Sequence, residues 1–276
     1  MEKSEYFRTA AELHREMGIV SPDEIDIEAI AYHCGATIRY RQLTGCAARI
    51  VGAGNKAIIT IDVSSPRGRQ RFSAGHELGH WMHDRGKASF SCQESQFVRE
   101  WSATSNPEPR ANRYASDLLL PPTLFKPKAE TFRTMDFDTV RSLAQIFVTS
   151  LTATAIRLVE CGPLPTMLVC YSAGQRVWFV RGSLPGQLYP SEAPRPYTYA
   201  FDLLRKGMGD EELRGEVPAD AWFDHPSAKG HYIEEHSIGR YGDVLSLLWW
   251  KNERMLIHLE EYEEKKAARR SDWRED

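Results

Sequence analysis

Residues 71–82 read Arg71-Phe72-Ser73-Ala74-Gly75-His76-Glu77-Leu78-Gly79-His80-Trp81-Met82. On a helix, residues four apart share a face. His76 and His80 can therefore present two imidazole nitrogens to one divalent metal, most often zinc. Glu77 lies beside that face, where it can serve as general base toward a water at the metal. The flanking Phe72, Ala74, Leu78, Trp81 and Met82 are apolar, as expected of a helix buried in a core. Such a helix rarely carries two His and a Glu within five residues unless something satisfies them. Upstream, Ser65-Pro66 offers an N-cap and a proline for the first helical position. The stretch points to a zinc hydrolase, and first of all to a peptidase.

The rest of the composition sets bounds. A chain of 276 residues makes one large or two modest domains. With 42% apolar and 26% charged residues it can bury a core. A formal net charge of -3 gives no global pull toward nucleic acid. The N-terminal Met-Glu-Lys-Ser-Glu lacks the apolar segment of a signal peptide, and no run of 18 apolar residues forms a membrane span. The five cysteines (Cys34, Cys46, Cys92, Cys161 and Cys170) include no C-x-x-C pair, which favours reduced thiols in a cytoplasm.

Upstream of the metal helix, residues 5–17 carry a helical pattern ending at Gly18. Ser21-Pro22-Asp23 opens a second helix that runs through Ile25, Ile27 and Ile30 to Gly35. Residues 36–43 alternate like a strand, and 47–51 with 57–63 form a hairpin across Gly52-Ala53-Gly54-Asn55. Downstream, residues 84–106 read as a loop over the site and 107–120 as a helix stopped by Pro121-Pro122. Two short helices follow at 138–147 and 150–159. Beyond residue 166 the pattern changes. Residues 167–171 and 176–180 form a hairpin, as do 244–250 and 255–259. The tail from Glu260 is a solvated helix or a frayed end. The expected architecture is α+β, with a first domain over 1–163, including a helical lobe at 138–160, and a second over 164–276.

A hydrolytic zinc site takes three protein ligands and leaves one position for water. Glu108, opening the helix Glu108-Pro-Arg-Ala-Asn112-Arg-Tyr-Ala-Ser-Asp-Leu-Leu-Leu-Pro121, leads as the third ligand. Glu100 and Glu94 are the fallbacks. Glu108 also has a plain reading, as a first-turn carboxylate compensating the helix dipole. Its position between Pro107 and Pro109 disfavours helical geometry unless both prolines sit in the first turn. Asn112, four residues on, faces the same side and can orient a ligand.

The two linked motifs, Arg71-Phe-Ser-Ala-Gly-His-Glu-Leu-Gly-His80 and Glu108-x-x-Ala-Asn-Arg-Tyr-Ala-x-x-Leu-Leu-Leu-Pro121, resemble those of the ImmA/IrrE family of bacterial zinc metallopeptidases. The resemblance covers roughly residues 5–160. It implies a zincin-like, gluzincin-type domain with a small N-terminal sheet, with zinc on His76, His80 and Glu108 and with Glu77 as base. It also implies a substrate: a partner helix-turn-helix transcription repressor, cut in response to stress or DNA damage. Single-stranded DNA is the candidate activator to test with it. Some members carry a GAF-like sensor domain after the peptidase, and 164–276 has the length for one. One departure stands out. Many relatives have a second acidic residue two before the Asn, where this chain has Arg110.

Three further residues draw notice. Cys92, between the two ligand helices, can act as an inhibitory fourth zinc ligand, since a thiolate displaces water. His83, one turn past His80, can bind substrate or be a plain helix-end residue. Tyr114 can donate to an oxyanion or simply pack. Two rival functions stay open: a non-hydrolytic, metal-stabilised binding module, and a DNA-binding regulator using the helix pair at 138–159. The first has no need of Glu77. The second lacks a basic recognition helix, because Arg157 is the lone cation in 150–159.

Overall fold

The computed structural model describes residues 7–85, 107–182, 184, 188–207, 210–240 and 242–272. The chain divides into two compact units, Met1–Thr131 with Arg141–Arg157, and Phe132–Val140 with Leu158–Asp276. Both mix helices with one sheet, so the class is α+β.

In the first unit, α1 (Ala10–Glu16) opens on a Thr9–Glu12 capping box. The second helix does not start at Ser21 as the sequence suggested. Pro22–Glu24 is a single 3-10 turn, because Glu24 folds back onto the Val20 and Ser21 amides. Asp26 then restarts the chain as N-cap of α2 (Ile27–His33), accepting from the amides of Glu28 and Ala29. The strands β1 (Ala36–Arg41), β2 (Ala48–Ala53) and β3 (Lys56–Asp62) form a sheet in the order β1-β3-β2. β2 and β3 are the expected hairpin, and β1 lies parallel to β3. Ile38, Ile59, Ile61 and Ile50 share one face by register.

The metal helix is α3 (Arg67–Asp84), packed on this sheet. Its cap corrects the reading at Ser65. Pro66 occupies the N-cap with no side-chain hydrogen bond, and its carbonyl accepts from the Arg69 and Gln70 amides. Against α3 lies α4 (Pro107–Leu119). Pro121-Pro122 stops α4 but also starts α5 (Pro122–Ala129), a helix the sequence reading missed; Pro122 sits at its first position, where its absent N–H costs nothing. The chain continues through α6 (Phe137–Phe147) and α7 (Leu151–Cys161), which are bent by 107° to one another. No single helix among the described residues is long and apolar enough to cross a membrane.

The second unit is built on an antiparallel sheet. Its strands are β4 (Thr166–Ser172), β5 (Gln175–Arg181), β6 (Glu212–Pro218), β7 (Tyr232–Arg240) and β8 (Asp243–Trp249), ordered β5-β4-β8-β7-β6. The β4–β5 hairpin turns at Ala173-Gly174, both with positive φ (47° and 77°), as a tight hairpin turn requires. The second expected hairpin is corrected. β8 pairs with β4 and β7, while residues 255–259 belong to α10 (Arg254–Asp272). Met255, Leu256 and Leu259 are buried and Ile257 and His258 exposed, which is helical rather than alternating spacing. The helices α8 (Tyr199–Lys206) and α9 (Ala219–Trp222) complete the unit, whose core gathers Tyr171, Trp222, Phe223 and Trp250.

Candidate metal centre

Two helices supply the centre, and glycine lets them approach. A Cβ at Gly79 would stand 3.0 Å from the Ala111 Cα and 3.1 Å from its carbonyl oxygen. One at Gly75 would meet Ala115 at 3.3 Å. The pair sits one turn apart on the face of α3 that meets α4, so α3 can lie close beside the first turns of the helix that carries Glu108 and Asn112.

The result is a triangle of ligand atoms. His76 Nε2 lies 3.0 Å from His80 Nε2. Glu108 places Oε2 3.1 Å from His76 Nε2 and Oε1 3.3 Å from His80 Nε2. Zinc bonds of about 2 Å at tetrahedral angles put ligand atoms about 3.3 Å apart. The donor set and its spacing fit that ion, and this is the group among the described residues able to hold a metal. Glu108 manages it because α4 begins at Pro107, so both flanking prolines fall in the first turn.

His76 Nδ1 sits 2.8 Å from Asn112 Oδ1. An amide oxygen can only accept, so the ring proton is on Nδ1 and the Nε2 lone pair faces the triangle. Burial lowers the His76 pKa. Burial also works against charge on His80, but the Glu108 hydrogen bond and the Glu108, Glu77 and Asp84 charges outweigh it and raise its pKa. The hydrogen bonds from both histidines hold the Glu108 carboxyl far below the usual range.

Glu77 is fully buried, and neither carboxylate oxygen has a hydrogen-bond partner among the described residues. Burial pushes its carboxyl up to about 7, with the His80 charge opposing and Glu108 adding. A buried carboxylate without donors is costly, and one poised near neutrality beside a metal group is suited to taking and returning a proton.

Other expected residues fall elsewhere. Cys92, Glu94 and Glu100 lie outside the described residues. His83 points away from the triangle, its ring 4.8 Å from Phe7 and 5.8 Å from Tyr114, with burial lowering its pKa to about 4. Tyr114 donates to the Arg8 carbonyl at 3.1 Å. It is a packed helix residue with its hydroxyl already engaged.

Asp84 and its pairing with Arg110 escaped sequence reasoning. Asp84 stands one turn past His80, with Oδ2 3.8 Å from His80 Nδ1. Arg110 reaches it from α4, its Nη2 2.9 and 3.0 Å from the two Asp84 oxygens. The available signal was the i, i+4 spacing from His80 to Asp84.

The fold and site thus define an α+β protein with a buried two-histidine, one-carboxylate metal group on adjoining helices. Residues 33–159 match the family model Peptidase_M78, described as the IrrE N-terminal-like domain, which supports an ImmA/IrrE-type peptidase domain over that part of the chain. No curated protein matches it in sequence. Among solved structures it is similar to a Mycobacterium tuberculosis transcriptional regulator, with a TM-score of 0.58 and 13% identity over 87% of this chain and 74% of that one. At that identity the likeness is one of fold.

Proposed function

We propose that the protein is a zinc-dependent endopeptidase of the zincin-like, gluzincin type that cuts a partner helix-turn-helix repressor in response to stress or DNA damage. The observation that carries this reading is the fully buried Glu77 carboxylate, without a hydrogen-bond partner among the described residues, beside the His76, His80 and Glu108 triangle. When bound, zinc supplies Lewis-acid activation of water near neutral pH. His76, His80 and Glu108 would hold it, and Asn112 keeps the His76 tautomer that can do so. Glu77 would take the proton of the attacking water and hand it to the leaving amine. A structural metal site has no use for such a carboxylate, which counts against a purely metal-stabilised module.

The DNA-binding alternative is weakened at Arg157. That side chain is buried and pairs with Asp117 at 2.7 Å. The regulatory part of the proposal assigns the second unit as a GAF-like sensor, with single-stranded DNA as a candidate activator. The mycobacterial neighbour is a transcriptional regulator, which accords with a regulatory setting.

The test is to incubate the zinc-loaded full chain with the repressor encoded beside it, with and without single-stranded DNA. Discrete repressor fragments are expected from wild type and none from Glu77→Gln. An intact repressor under both conditions would sink the proposal.

A further inference from the structure

We propose that Asp84, fixed by Arg110, is the positioning residue of His80. The inference rests on the zinc reading above and assigns work that the three ligands and Glu77 leave undone.

Each ligand histidine turns Nε2 toward the triangle, so each needs its ring proton on Nδ1 and a group to receive it. For His76 that group is the neutral Asn112 amide, projecting from the facing helix at 2.8 Å. Nearest to His80 Nδ1 on its own helix stands the Asp84 carboxylate. The 3.8 Å from Asp84 Oδ2 to His80 Nδ1 is inside ion-pair range and beyond hydrogen-bond range. A carboxylate there favours the Nδ1–H tautomer and makes Nε2 a stronger donor.

Asp84 is itself only 7% exposed, so its charge must be met. Arg110 meets it, with one Nη2 on both oxygens. Arg110 also lies two residues from Glu108, and Asp84 one turn from His80. The ion pair therefore joins the two ligand helices within a turn of the ligands, near the close approach at Gly79. In this chain the basic residue and Asp84 act as a pair.

The test measures zinc affinity of the full chain by competition with a chromophoric chelator, alongside thermal unfolding of the metal-free protein. Asp84→Ala is expected to weaken zinc binding by about 10- to 100-fold, the range for removing a group behind a ligand histidine. The near-isosteric Asp84→Asn should fall between it and wild type, with its metal-free Tm as the check on folding, and Asp84→Glu should recover part of the loss. Arg110→Ala should lose less than Asp84→Ala, because the carboxylate remains. A mere helix clamp predicts something else: equal losses for Asp84→Ala and Arg110→Ala, tracking the fall in metal-free Tm. That pattern, or unchanged affinity in Asp84→Ala, would overturn the inference while leaving the zinc reading intact. Wild type that binds no zinc would overturn both.

Discussion

Glu77 in the first unit and Glu235 in the second are both almost wholly buried carboxylates, yet their surroundings are opposite. Glu235 accepts from the Ala200 amide at 2.7 Å, the Ser237 hydroxyl at 2.6 Å and the Trp222 indole at 2.9 Å. Glu77 has no hydrogen-bond partner among the described residues. Burial raises the pKa of both; for Glu235 the Ser237, Trp222, Ala200 and Tyr199 donors pull partly back, while at Glu77 only the charge of His80 opposes the rise. The second unit thus completes its buried acid with its own donors and uses it to join α8, α9 and β7. The first unit leaves its buried acid incomplete beside a metal group. Burial alone does not mark a functional acid; burial without donors does.

The comparison breaks most easily at Glu77. Glu77→Gln should lower repressor cleavage by about 10²- to 10⁴-fold, the usual share of a general base, with zinc content unchanged and Tm equal or higher. Activity within tenfold of wild type would show that Glu77 is a structural acid like its counterpart. The converse experiment is Glu235→Ala, which leaves the Trp222 indole and the Ala200 amide buried without their acceptor, while the Ser237 hydroxyl keeps Ser246 as a partner. It should cost roughly 2–4 kcal/mol in urea unfolding, the penalty of stranded donors, with zinc affinity unchanged. Little loss of stability would mean that the three hydrogen bonds do not decide how this carboxylate is tolerated.

Smaller effects sharpen the picture. Gly79→Ala should destabilise by about 1–3 kcal/mol through overpacking against Ala111 and weaken zinc binding by spreading the helices. Gly75→Ala, with more room, should do less on both counts. The smallest expected effect is one of sign. The Glu235 carboxyl titrates above the ordinary Glu range. Between the ordinary and the folded-state value, the folded protein therefore binds more proton than the unfolded chain. Stability from this group grows as pH falls through that window and is lost as pH rises. Wild type should gain on Glu235→Gln as pH is lowered from neutrality, and a gain in the other direction would contradict the assignment.

Much of the first unit was legible because its signals are local. The i, i+4 histidines, the Glu108 to Asn112 spacing and the β2–β3 turn each sit within a few residues of what they determine. The family resemblance added the third ligand's role. The parallel β1–β3 pairing and the Asp84–Arg110 bridge were not legible, since each joins residues more than twenty positions apart. In the second unit, 255–259 was misread because five residues with three buried positions fit a strand about as well as a helix. β6 and β7 were missed because charged residues crowd them: β6 alternates but buries only Val217 fully, and β7 buries polar Glu235, His236 and Ser237 in a row. Glu235 reads as one more surface charge until Trp222 and Ala200 are brought onto it.

The central claim is that His76, His80 and Glu108 together form one zinc site. Metal analysis of purified wild type, Glu77→Gln and Glu108→Ala tests it most directly. The account predicts about one zinc per chain, as a single three-ligand site holds, in wild type and Glu77→Gln, and little or none in Glu108→Ala. Full zinc occupancy in Glu108→Ala would contradict it.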